Sequence, residues 1–215
     1  MNNAQMYDKL EIICNKVEER LSYLYNKLPI GLAIHLEENG FVGGGCIYSM
    51  FQDGSYKDID IFFKHKYVVE LVEHFIRKEC TLKIVRGVET GVWQRLRVVI
   101  TDNAISIGEF QLIKKDFGEP EDVVSRFDFK HNMFWIEDGR VKSLSNFSYL
   151  TSKELELNDL RPRQLAGVLV RVAKYTKRGM TISNSEMCKI ILKLNEIGIE
   201  DNEMKMLNKY SSFDS

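Results

Sequence analysis

The stretch from Gly43 to Phe62 constrains this chain more than any other. It reads Gly43-Gly44-Gly45, then Cys46-Ile47-Tyr48-Ser49-Met50-Phe51, a polar turn from Gln52 to Lys57, and Asp58-Ile59-Asp60-Ile61-Phe62. Residues two apart on a strand share a face, so Asp58 and Asp60 present both carboxylates together while Ile59 and Ile61 enter the core. Two such carboxylates can hold Mg2+, a hard cation that prefers oxygen. Glycines lack a Cβ and let a backbone turn approach a polyphosphate, and the helix expected from Cys46 aims free N–H groups at that charge. Gly44, Gly45, Ser49 and Lys57 are the candidates for the nucleotide side, Asp58 and Asp60 for the metal side. Alone, a glycine pair is most often a tight turn and an Asp-x-Asp pair a solvated strand edge. It is their combination in this order that fits a nucleoside triphosphate with Mg2+.

The order of glycines, short helix, acidic turn and Asp-x-Asp strand resembles the nucleotidyltransferase superfamily, with its DNA polymerase beta-like fold. It is most similar to the head domain of bacterial poly(A) polymerases and tRNA CCA-adding enzymes. Their motif runs Gly-Gly-x-Val-Arg-Asp, Leu-Leu-Gly, Asp-x-Asp, and the spacing from Gly45 to Asp58 follows it without a gap. Tyr48 and Ser49 stand where that family has Arg and Asp.

Three further segments carry the resemblance. Gly108 to Lys114 resembles a family strand that begins with Glu, which implies Glu109 as a third carboxylate. Arg126-Phe127-Asp128-Phe129-Lys130-His131-Asn132 resembles the family's Arg-Arg-Asp-Phe-Thr-Ile-Asn, which implies that Arg126, Asp128 and Asn132 contact the nucleotide and its ribose. The plainer reading of Asp128 is a cap at the start of a strand. Finally, Arg171 to Ile182 resembles a basic family segment, and Arg171, Lys174 and Arg178 are spaced to put three cations on one helix face. From Leu160 to Met180 there are six basic residues and no acid, a one-sided run that suits a triphosphate or an RNA backbone as well as a solvated face. Gln164, Leu165 and Val168 occupy the places of the family's base selector, and the tail after Ser185 is shorter than the parts that position tRNA there.

The remaining text sets the organisation. Ala4 to Lys27 has Met6, Leu10, Ile13, Val17, Leu21 and Leu24 at helical spacing, and Lys66 to Lys78 alternates in the same way. Gly31 to Leu36 reads as an apolar strand, Thr81 to Val85 as a strand, Val92 to Ile100 as one β run, Ile105 to Lys114 and Phe127 to Ile136 as two more. A short helix is expected after Glu119-Pro120. Beyond Ser152 no strand is expected, and Glu154 to Leu157, Arg163 to Arg178, Ser185 to Ile197 and Asn202 to Tyr210 read as helices, with Gly179 and Gly198 as terminators. The expected fold class is therefore α+β: a nucleotidyltransferase-type mixed sheet with flanking helices over residues 1–150, and a small all-helical domain over 151–215, with the site in the groove between.

With 30 basic and 31 acidic residues, overall charge makes no case for nucleic acid, so any basic surface is local. Cys14, Cys46, Cys80 and Cys188 have no ligand-type spacing and read as reduced thiols. No apolar run is long enough for a membrane span and the N-terminus lacks a signal-peptide core, so a cytoplasmic protein is expected. The resemblance implies an enzyme that uses Mg2+ to move a nucleoside monophosphate from a triphosphate to a hydroxyl, on RNA first. A small-molecule or protein acceptor, or a catalytically silent nucleotide- or RNA-binding module, are the alternatives.

Overall fold

The computed structural model describes residues 2–54, 56, 58–160 and 165–211, with the side chains of 206 and 209–211 left aside. Lys57, a nucleotide-side candidate, and Gln164 therefore lie outside the described residues.

The chain divides into two compact units, one of residues 1–124 and 132–144, the other of 125–131 and 145–215. In the first, α1 (Asn3–Tyr25) is started by a reciprocal cap: the Gln5 N–H donates to the Asn2 side chain at 2.9 Å, and the Asn2 N–H donates to the Gln5 side chain at 3.0 Å. It buries Leu10, Ile13, Cys14, Val17 and Leu24. Then come α2 (Ile30–Asn39), β1 (Gly40–Gly43), α3 (Gly45–Phe51), β2 (Ile59–Phe63), α4 (Lys66–Glu79), β3 (Lys83–Val85), β4 (Val88–Trp93), β5 (Leu96–Ile100), β6 (Ala104–Ile107), β7 (Phe110–Phe117) and α5 (Pro120–Val124). The hairpin β8 (Phe134–Glu137) and β9 (Arg140–Ser143) completes it.

All nine strands form one mixed sheet in the order β3-β4-β5-β6-β7-β2-β1-β8-β9. Every neighbouring pair is antiparallel except β2 with β7. That parallel pair lies where the local β3-to-β7 meander joins the strands built around the glycine turn, and it buries Ile59, Ile61, Phe63, Phe110 and Leu112.

The segment expected as a strand over 31–36 is helical. Pro29 precedes it with an extended ψ of 139° and has no N–H to satisfy, and its carbonyl accepts from the N–H groups of Leu32 and Ala33. Only Leu36 of α2 is fully buried, while Ile30 and Ile34 face solvent, which a central strand would not allow. The run from Val92 to Ile100 is broken by a turn at Gln94 and Arg95, both with positive φ (46° and 68°).

The second unit holds a short 3-10 turn (Phe147–Leu150), β10 (Glu154–Leu155), α6 (Leu165–Thr176), β11 (Thr181–Ile182), α7 (Asn184–Ile197) and α8 (Asp201–Ser211). β10 pairs in parallel with β11, where a helix was expected over 154–157; four residues are too few to repay helix nucleation once a partner strand is present. Nor is 127–136 one strand. Asn158 donates from its side chain to the carbonyls of Ser125 (2.7 Å) and Phe127 (2.8 Å), and from its N–H to that of Asp128 (2.8 Å). Phe129 bridges Leu157, and only after a 3-10 turn at Lys130–Asn132 does β8 begin. Gly198, at φ 81°, ends α7 as expected.

Candidate functional site

In the first unit, β1 runs directly into the glycine turn. Gly44 has φ 86° and ψ −149°, a backbone shape that essentially only glycine takes without strain. Its N–H donates to the Phe134 carbonyl at 3.0 Å, which moors the turn to β8. Gly45 opens α3, which buries Cys46, Ile47, Tyr48, Met50 and Phe51 and leaves Ser49 half-buried. The family-pattern departure at Tyr48 is thus a core position. Burial pushes the Cys46 thiol up to about 12, the negative charge of Asp60 adds to the shift, and the Asp60 backbone is its hydrogen-bond neighbour. A buried thiol held protonated in this way is a poor nucleophile, and its contact places the first turn of α3 beside Asp60.

Asp58 and Asp60 flank Ile59 at the start of β2, both partly exposed while Ile59 is fully buried, as the alternation predicts. In the parallel register Ile59 is opposite Phe110 and Asp60 opposite Gln111, so Glu109 is level with Asp58. The Ile59 N–H donates to the Glu109 carbonyl at 2.8 Å. Glu109 sits in the turn between β6 and β7, after Gly108 at φ 62°, rather than within a strand. Its carboxylate is taken by Arg20 of α1, with Nε 3.2 Å from Oε1. A hydrogen bond to the Tyr56 side chain and the charge of Glu109 both favour the charged guanidinium. Lys16 lies 5.3 Å over the Tyr56 ring, and Lys9 pairs with Asp53 at 2.6 Å. Positions 9, 16 and 20 fall on one helix face, so α1 presents three cations to the acidic turn and to Glu109.

Asp58 and Asp60 form an oxygen-only pair of the kind that suits Mg2+, which takes one or two carboxylates and completes its shell with water and substrate phosphates. Among the described residues no three His, Cys, Asp or Glu side chains gather in a metal-binding group. The two carboxylates match that ion in donor chemistry, and the Glu109 carboxylate is paired with Arg20. A cleft of about 530 Å3 lined by Glu18, Tyr25, Glu37, Lys64 and Glu137 lies at the Gly40 end of β1, away from the Gly44 end where the aspartates stand.

In the second unit, Asp128 is 6% exposed and one edge of the Arg171 guanidinium reaches it, Nη2 to Oδ1 at 3.0 Å and Nε to Oδ2. A buried carboxylate needs such a partner. Gly167, one turn earlier on α6, makes room: a Cβ there would stand 3.0 Å from Arg171 Nη2. Arg126 is exposed and Asn132 buried at the end of the 3-10 turn. The three expected cations do not share one helix. Arg171 and Lys174 are on α6, but α6 ends at Thr176 and Arg178 lies in the turn that Gly179 closes at φ 88°. In the same unit Phe129 and His131 are stacked, with Tyr175 edge-on to both.

Sequence reasoning missed Arg20, Tyr56, Gly167 and Asn158. Arg20 was legible only as one of several charges on the solvent side of a packing helix, since its partner is 89 residues away in sequence. Gly167 had a signal, an unexplained glycine inside a helical pattern four residues before an arginine.

A solved CCA-adding enzyme in complex with CTP matches the fold with a TM-score of 0.50 at 13% identity, over 89% of this chain and 46% of that one. A tRNA nucleotidyltransferase complexed with a primer tRNA and an incoming ATP analog matches at 0.46 and 14%, over 82% of this chain and 57% of that one. The Thermotoga maritima CCA-adding enzyme complexed with tRNA matches at 0.47 and 12%, over 82% and 45%. The chain spans about half the length of these structures, and at such identity the likeness concerns the fold, which is nucleotidyltransferase-like. The chain belongs to the Gabija anti-defense 2 family, whose model matches residues 6–155. No curated protein matches it.

Proposed function

We propose that this chain is a nucleotidyltransferase that serves the anti-defence role its family is named for, moving a nucleoside monophosphate from a triphosphate to a hydroxyl with release of pyrophosphate. The observation that carries the reading is the register of β2: Asp58 and Asp60 alternate around buried Ile59 on the strand, with the Gly44 turn and the first turn of α3 beside Asp60.

Asp58 and Asp60 would hold Mg2+. That ion, when bound, neutralises phosphate charge and lowers the pKa of the attacking hydroxyl. Gly44, with no Cβ, lets the backbone come close to a triphosphate, and Gly45 and Ser49 stand on the helix that follows. Nothing in this chemistry calls for a thiol, in keeping with the buried, protonated Cys46. Positioning and charge neutralisation supply most of what phosphoryl-type transfer requires.

The cations bear on the acceptor. Arg171 is committed to Asp128 and Arg178 has left the helix, which weakens the case for RNA made from a three-cation face and leaves a small-molecule or protein hydroxyl as the second reading. Supplying each labelled triphosphate with Mg2+ to RNA, protein and metabolite fractions tests both, by where the label goes. Asp58→Asn and Asp60→Asn remove charge without changing volume, and each is expected to lower transfer by about a thousandfold, or about 4 kcal/mol of transition-state stabilisation. Near-parental turnover in either variant would remove the metal assignment.

A further inference from the structure

Arg20 of α1 is paired with Glu109 near the aspartates and has no part in the proposed transfer. It reaches in from α1 to Glu109 at 3.2 Å and to the Tyr56 side chain, and Glu109 is the residue level with Asp58. Tyr56 is two residues before Asp58 in the chain and Glu109 is level with Asp58 on the neighbouring strand, so both partners of Arg20 are tied to the Asp58 end of β2. Arg20 itself is about half exposed and Glu109 about a quarter, with side-chain exposures of 47% and 26%, so the pair can open without disrupting the core.

A carboxylate cannot give its full charge to a guanidinium and to a divalent cation in the same place. Carboxylate oxygens are what Mg2+ and Mn2+ seek, and a third carboxylate would tighten a two-carboxylate site. With Glu109 bound to Arg20, the site holds only the pair Asp58 and Asp60; with Glu109 released, it would hold three.

We propose that Arg20 is a charge latch on the metal site: its guanidinium competes with the divalent cation for Glu109, so that the protein binds metal weakly until a polyanionic substrate draws Arg20 away. The polyanion is of the triphosphate class, because only added phosphate charge at this point rewards both the released guanidinium and the three-carboxylate ion. The proposal rests on Asp58 and Asp60 as the metal pair. It makes metal and triphosphate mutually reinforcing, since each draws on a different half of the same ion pair.

The test is a double-mutant cycle on the full chain, read as Mn2+ affinity by calorimetry without nucleotide. Arg20→Gln should tighten Mn2+ by roughly tenfold, the scale of a single well-placed ligand interaction. Removing a positive charge tightens a cation site through the field alone, so the decisive arm is Arg20→Gln with Glu109→Gln. If the latch is real, Glu109→Gln weakens Mn2+ much more in the Arg20→Gln background than in the parent. Equal effects of Glu109→Gln in both backgrounds would overturn the latch while leaving the metal pair in place. Asp60→Asn separates the two ideas: it should abolish Mn2+ binding in every background, and retention of binding there would sink the metal pair itself. An absence of Mn2+ binding in every protein, parent included, would overturn both. A second arm asks whether a non-hydrolysable triphosphate tightens Mn2+ in the parent more than in Arg20→Gln; an equal gain in the two would also overturn the latch.

Discussion

A Cβ on Gly44 has to be accommodated at φ 86° and ψ −149°, a region that other residues reach at a cost of roughly 1–3 kcal/mol. The residue cannot relax into a commoner shape without giving up its N–H bond to Phe134, because that bond fixes the turn against β8. Gly44→Ala is therefore expected to lower stability by about 1–3 kcal/mol in urea denaturation and to weaken triphosphate binding. Gly45→Ala is the control, since Gly45 begins α3 outside the positive-φ set and alanine favours a helix. Equal stability of the two variants would mean that the turn does not need its observed shape. At the same scale Asp128 illustrates how a residue type can fit two roles. Its acid was expected at the ribose or at a strand end, and the structure shows it bound by Arg171 from across the unit.

The segment from Ser125 to His131 is the element whose behaviour departs furthest from its sequence. His131 is 1% exposed, stacked on Phe129 and edge-on to Tyr175 at 4.9 Å, and desolvation pushes its pKa down to about 3. An unfolded histidine takes up a proton near pH 6.5, whereas the folded one stays neutral, so acid favours the unfolded chain. The stability that His131 contributes is present above pH 6.5 and is lost as pH falls towards 3. Between pH 7 and pH 5 the loss is about 2 kcal/mol. The stability of the His131→Phe variant relative to the parent should rise by that amount over this range, measured by urea denaturation at each pH. A constant difference would mean that His131 accepts its proton while folded. Whether such a segment is legible depends on range. The Asp58-x-Asp60 strand, α1, α4 and α7 were readable because local alternation or helical spacing decides them. The 125–131 segment was not, because Asn158, about thirty residues on, captures its carbonyls and pulls it out of the sheet. The Gln94-Arg95 turn was hidden for a different reason: its positive-φ positions carry neither Gly nor Asn, so composition gave no sign of the break. Gly31 to Leu36 was a short apolar run that strand and helix share, and the proline before it was the deciding residue.

For the whole molecule, a nucleotidyltransferase-like fold does not fix the acceptor, because function lies in the site and its surroundings. With 30 cations against 31 anions there is no long-range attraction for RNA, so any affinity must come from local cations. Of the three cations expected on one face, Arg171 is held by buried Asp128, while Lys174 and Arg178 are exposed and are the pair to test for backbone contacts. Each phosphate contact on a single strand contributes about 0.7 to the slope of log affinity against log salt, so Lys174→Gln with Arg178→Gln should flatten that slope by about 1.4 if RNA is bound here. Arg171→Gln should act otherwise, lowering stability by taking the guanidinium from a buried carboxylate, and it is kept out of that comparison. A flattened slope with label transferred to RNA would keep RNA as the acceptor. Weak binding with an unchanged slope would remove it. A small-molecule or protein hydroxyl then remains, and the Asp58→Asn variant, expected to be deficient in transfer but intact in its remaining surface, tests whether an anti-defence role runs through chemistry or through binding alone. Loss of anti-defence in that variant, in cells that carry Gabija, is the expected outcome, and full retention would make the chain a binding module built on an enzyme's fold.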